Sequence, residues 1–124
     1  MNETKRKATT DWFESRIAHF RQLAQALNAD DRADEAVFAK VQMNVYDIFN
    51  TIFSVALKTC GQSDEKVVQF FMAKTVQIPQ NWRTSLAEAE KHADSEKAHI
   101  ERIKLEALED VIGAFPESGR SAND

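Results

Sequence analysis

Cysteine occurs once, proline twice and glycine three times in this chain of 124 residues. A lone Cys60 forms no intramolecular disulfide and supports no cysteine-rich metal spacing. So little glycine and proline argues against a chain built on tight turns and for helices with few interruptions. It also leaves no glycine-rich loop for a phosphate, no Gly-x-Ser-x-Gly elbow and no dinucleotide-binding fingerprint. Cys60 ends an apolar stretch, where a thiol behaves as an inert small hydrophobe. Nothing in the spacing pairs it with His19 or His92 as a nucleophile and base. No enzyme activity is therefore read from the chain, and no cofactor is assigned. An uninterrupted apolar run of about 18 residues is missing, so no membrane span is expected. No apolar segment follows Lys5-Arg6-Lys7 to make a secretory signal, and a cytoplasmic location is the simplest expectation.

Charge narrows the partners. The net charge of −4 and a pI near 5.4 count against nucleic acid, since Lys5-Arg6-Lys7 is the one basic cluster. No apolar face lined by Lys and Arg is available for binding a membrane surface. What the chain does have is apolar material: 43% hydrophobic residues and eight Phe, enough to fill the core of a single domain.

Hydrophobic periodicity divides the chain into helices. Residues 1–9 read as a frayed leader, with Thr10 or Asp11 capping a first helix. In it Phe13, Ile17, Phe20, Ala24 and Leu27 recur at spacings of four and three, ending near Asn28. A second helix runs from Asp31–Asp34 to Cys60, with Gly61 at the position that often needs positive φ. Its polar residues Lys40, Asn44, Asp47, Thr51, Ser54 and Lys58 form one narrow line. The apolar remainder covers about 200° of the surface, about twice the arc of a surface helix. The second helix must therefore have neighbours on at least two sides. A short third helix is capped by Ser63, with Asp64 and Glu65 at its positive end, and stops before Pro79. A fourth runs from about residue 80 to 114, about 50 Å at about 1.5 Å per residue. Its stripe is Trp82, Leu86, Ala89, Ala93, Glu96, Ile100, Ile103 and Ala107, with Leu105, Leu108, Ile112 and Phe115 as a second line. Phe115-Pro116 ends it, and residues 116–124 read as a disordered tail.

The expectation is an all-α antiparallel bundle of three long helices and one short one, in one domain over residues 1–124. A 50 Å helix overhangs such a bundle, which leaves two outcomes. Either helix four and the spare face of helix two pack on a second copy, making a homodimer, or the helix breaks near Ala93–Ser95 and folds back. The homodimer reading assigns an interface to Tyr46, Phe53 and Leu57 on helix two and to Ala89, Ala93, Glu96 and Ile100 on helix four. Trp12 and Trp82, each near a helix start, are expected half exposed.

One motif carries candidate chemistry. Glu96 and His99 form the Glu-x-x-His spacing of di-metal bundles, and His92 lies one turn earlier, so one unbroken helix face would present all three. No second copy of the motif exists, and Asp47 or Glu14 would have to complete a site. Glu88, His92, Ser95, His99, Arg102 and Glu106 also read as an ordinary charged flank, so no metal is assigned. The leading expectation is a helical bundle that acts through protein–protein contacts as an adaptor, regulator or accessory subunit. A metal-binding bundle and a carrier of an apolar ligand are the alternatives.

Overall fold

The computed structural model describes the backbone of residues 2–120 and the side chains of residues 2–115. All the regular structure among them is helical: α1 (Glu3–Ala29), α2 (Ala33–Cys60), α3 (Asp64–Gln77), α4 (Gln80–Lys91) and α5 (Ser95–Arg120). None of these helices is long and apolar enough to cross a membrane.

The first helix starts earlier than its sequence indicates. Asn2 accepts a hydrogen bond from the Lys5 amide at 2.8 Å, so residues 3–9 are the opening turns of α1. Tertiary contacts hold them. Arg6 donates to the Gly61 carbonyl at 2.8 Å and to Asp64 at 2.6 Å, and Thr9 is buried. These partners lie more than fifty residues away in sequence, out of reach of a local reading.

Ile17, Phe20 and Ala24 are buried as expected. α2 sits against α1, α3 and α5, which accounts for its wide apolar arc, and every residue of its polar line is exposed. Gly61 ends α2 in the right-handed region at φ −60°, so it is not used for positive φ. A Cβ there would run into the Leu57 carbonyl, and space is what the glycine supplies. Ser63 caps α3 through the Lys66 amide.

The main departure concerns where the chain reverses. Pro79 does not separate two rods. Ile78 stays helical at φ −62°, ψ −45°, and Pro79 stays right-handed at φ −76°. α3 therefore runs on into α4 with only a bend. The reversal comes instead at His92–Asp94, where Ala93 takes φ 57° and α5 folds back along α4. The 80–114 helix is broken at Ala93, the second of the two outcomes its length leaves open, and the overhang disappears with it. Four rods of similar length result: α1, α2, the bent α3–α4 pair and α5. Each runs antiparallel to the one before it, and α5 lies alongside α2 in the same direction. Phe38 meets His99, Tyr46 meets Asp110 and Phe53 meets Phe115 in that order.

Aromatic packing fills the centre. Phe13, Phe49, Phe53 and Phe71 are fully buried, and Phe71 stacks on Phe115 at 3.8 Å between ring centroids. That stacking anchors Phe115 in helical geometry in spite of the proline after it, and α5 continues through Pro116 to Arg120. The expected stop at Phe115-Pro116 is therefore absent. Of the expected 116–124 tail, residues 121–124 lie outside the described residues.

Candidate functional site

The reversal at Ala93 separates the residues that the Glu-x-x-His pattern groups. His92 is the last residue of the α4 turn, with Nε2 3.4 Å from Glu88 Oε2. Glu96 is exposed in the first turn of α5, and His99 stands edge-on to Phe38 at 4.6 Å. Glu96 and His99 do share a shallow depression with Asp34, Val37 and Phe38. Among the described residues, however, no three or more His, Cys, Asp or Glu side chains are grouped to hold a metal ion.

The residues assigned to an interface are dispersed as well. Tyr46 and Phe53 are buried at 2% and 1% exposure, because α1, α3 and α5 together cover the arc of α2 that contains them. Phe53 packs on Phe13, Phe71 and Phe115. Leu57 and Ile100 are half-buried, and Ala89 is buried. Ala93 and Glu96 remain at the surface. Of the assigned set, only Ala93 in the α4–α5 turn and Glu96 just after it are fully at the surface.

A different apolar line stays uncovered. Val37, Ile48 and Val55 are 49%, 39% and 42% exposed, with Val41 and Ile52 half-buried beside them. At about 100° per residue these five fall within about 60° of one another on α2, over about 27 Å. The line runs directly beside the polar Lys40–Lys58 row. At Ile52 it opens into a depression walled by Lys74, Gln77, Ile78, Asn81 and Trp82. Trp82 is half-buried there, its inner edge toward Phe49 and Lys104 Nζ 5.8 Å from its ring centroid. Both tryptophans are thus half-buried. Helical periodicity places Ile48, Ile52 and Val55 within the apolar arc of α2. It does not say which edge of that arc the neighbours leave open.

Two polar clusters flank the core, and they differ in how well they are satisfied. On the α1 side, Asp110 accepts from Arg16 Nη2 at 2.7 Å and from the Tyr46 hydroxyl at 2.6 Å. The Arg16 guanidinium lies 5.5–5.9 Å from the rings of Trp12, Phe20 and Tyr46, within cation–π range. Burial, then the hydrogen bond to Asp110, pushes the Tyr46 phenol up to about 12.

On the other side of α5, Ala98, Glu101, Leu105, Leu108 and Ile112 follow three-four spacing, so Glu101 occupies an apolar position. The residue is 6% exposed. Lys104 donates to Oε1 at 3.1 Å, while Oε2 is buried with no hydrogen-bond partner among the described residues. The sequence pattern singles out Glu96 as the acidic residue in the stripe. The buried one is Glu101, on the face of α5 that carries Leu108, whereas Glu96 falls in the exposed first turn beside the reversal.

A shallow apolar groove of about 310 Å³ runs between α1 and α5, lined by Ala8, Thr9, Trp12, Gly113 and Ala114 above Phe13 and Phe115. Trp12 forms its end next to Arg16. No protein-family model, no curated protein and no solved structure matches the chain.

Proposed function

We propose that this chain acts through protein–protein contacts in the cytoplasm, as an adaptor, regulator or accessory subunit, and that the exposed edge of α2 is the contact surface. The observation that carries this reading is the line Val37–Val41–Ile48–Ile52–Val55 ending at Trp82. Single exposed aliphatics are ordinary on any protein, but a continuous line of them beside a polar row is the pattern of a contact face. A half-buried tryptophan in a depression is the kind of anchor that dominates binding energy. An amphipathic helix laid along α2 would cover the line and seat one large side chain against Trp82.

The test uses tagged wild type and an Ile48→Glu/Val55→Glu double variant, compared by pull-down from the native host. Both substitutions sit at the surface, so thermal melting should be nearly unchanged. Proteins captured by wild type and lost with the variant support the reading. An unchanged set of captured proteins removes it.

The α1–α5 groove supports a second reading, as a site for a small apolar ligand. Its volume is at the lower end of ligand pockets. Native mass spectrometry of the purified protein checks it: a bound apolar molecule displaced by Gly113→Leu supports it, and an unliganded mass ends it.

A further inference from the structure

We propose that α5 exchanges between two copies of this chain, with His92–Asp94 as the hinge, giving a dimer in which α4 and α5 form one straight helix. The inference does not depend on the α2 contact face.

The closed reversal is held by three backbone bonds. His92 N donates to Glu88 O at 3.1 Å, Ala93 N to Glu90 O at 3.2 Å and Asp94 N to Ala89 O at 2.8 Å. That motif places Ala93 in the left-handed region at φ 57°, where glycine or asparagine is the usual occupant. Alanine's Cβ meets the following carbonyl there, which disfavours the conformation roughly tenfold or more. In a right-handed helix the same alanine is the most favourable residue of all. Lys91, His92, Ala93, Asp94 and Ser95 include no glycine and no proline, so the hinge lacks the two strongest helix breakers, and Asp94 as a cap is what opposes a continuous helix.

The side-chain pattern agrees with the straight form. Trp82, Leu86, Ala89, Ala93, Glu96, Ile100, Ile103 and Ala107 keep four-three spacing without losing phase across the turn. A chain whose reversal was its only conformation would have no need of that register. Short hinges under strain are the recognised route to exchange of an identical element.

Exchange conserves the core. Ile103, Ala107, Leu108, Val111 and Phe115 would meet the same α1–α4 surfaces, now from a second copy. The gains are release of both left-handed alanines and helical backbone bonds through each hinge. The loss is the entropy of associating two molecules. Ala93, exposed in the closed chain, would lie where the two straight helices pass each other, and its small side chain permits close approach.

Ala93→Gly removes the strain of the closed form and weakens the straight helix. Each dimer contains two hinges and each hinge carries both effects, so the dimerisation constant should fall about a thousandfold or more. Asp94→Ala acts in reverse. Asp94 caps α5 only in the closed chain, accepting from Lys97 N at 3.1 Å, and its loss should raise dimerisation about tenfold or more. Each protein is refolded from denaturant over a range of concentrations and its mass measured by light scattering after size exclusion.

A second measurement asks whether α5 itself is exchanged. Arg16→Asp and Asp110→Arg each place like charges across the α1–α5 pair. In an exchanged heterodimer of the two variants, opposite charges face each other at both seams. One seam pairs the two substituted side chains, and the other pairs the native Arg16 of one copy with the native Asp110 of the other. Co-refolding should then give heterodimer in excess over the statistical share, with the two variants told apart by mass. Wild type and Asp94→Ala that stay monomeric at every concentration overturn the proposal. So does a dimer insensitive to Ala93→Gly or without heterodimer preference. A dimer lost only in Ile48→Glu/Val55→Glu overturns it in favour of the α2 face.

Discussion

The molecule makes the same backbone turn twice, with different side chains. Between α1 and α2, Asp31 N bonds Asn28 O and Arg32 N bonds Leu27 O. Between α4 and α5, Ala93 N bonds Glu90 O and Asp94 N bonds Ala89 O. Both turns place a non-glycine residue at φ 57°. Aspartate tolerates that conformation, because its short polar side chain bonds locally; alanine does not.

The seams that follow the turns differ in the same sense. α1 meets α2 through large rings: Trp12 and Phe20 on Tyr46, and Phe13 on Phe53. α4 contributes a single buried residue, Ala89. The polar groups diverge as well. Tyr46, Asp110 and Arg16 complete one another, whereas Glu101 keeps an unpartnered oxygen. Identical turn geometry therefore does not make identical joints. One is fixed by packed rings beyond it, and the other by small side chains with an Arg102–Glu90 pair at 2.9 Å and Lys104 over Trp82.

Substitutions can break or sharpen this contrast, and the largest effect belongs to the aromatic core. Phe49→Ala should cost about 3–5 kcal/mol in urea unfolding, against about 1–2 for Leu86→Ala on half-buried α4. A Leu86→Ala loss as large as that of Phe49→Ala would show that the two seams are equally strong.

The satisfied cluster should respond to alkali. Tyr46 is the chain's one tyrosine, so phenolate absorbance reports it alone. Its folded value is raised from 10.0 to about 12. The stability it contributes is therefore complete below pH 10 and is lost as pH rises from there toward 12. A phenolate midpoint near 10 in the folded protein would mean that the hydroxyl is neither buried nor held by Asp110.

Glu101→Leu, which replaces an incompletely paired carboxylate with an apolar side chain, should be neutral or raise stability by about 1 kcal/mol. Asp110→Ala should lower it by about 1–2 kcal/mol, discounted for the partial exposure of its pair with Arg16. Equal losses from both substitutions would mean that Glu101 is as well satisfied as Asp110. The smallest effects come from the turns themselves. Ala93→Gly should raise monomer stability by about 1 kcal/mol and Asp31→Gly by well under half of that. Equal gains at the two positions would remove the distinction between the turns.

Much of the candidate surface was within reach of pattern reading. The polar row Lys40–Lys58 and the apolar arc beside it follow from the 3.6-residue period alone. Which part of the arc stays open depended on where α3, α4 and α5 settle, and Tyr46 and Phe53 went into the core while Ile48 and Val55 did not. Glu101 shows the same limit: its face is periodic, but its burial depends on a helix that only reversal at Ala93 brings alongside.

The amino-acid sequence by itself determined the helical class, the stripes and the two-sided burial of α2, because helical period and capping are properties of neighbouring residues. Tertiary structure decided that Pro79 bends and Ala93 reverses, although local preference ranks them the other way. It also decided that α1 begins at Glu3. Those outcomes rest on Phe71 against Phe115 and on Arg6 bound to Gly61 and Asp64, contacts between residues distant in sequence that outweigh the modest backbone preferences they oppose.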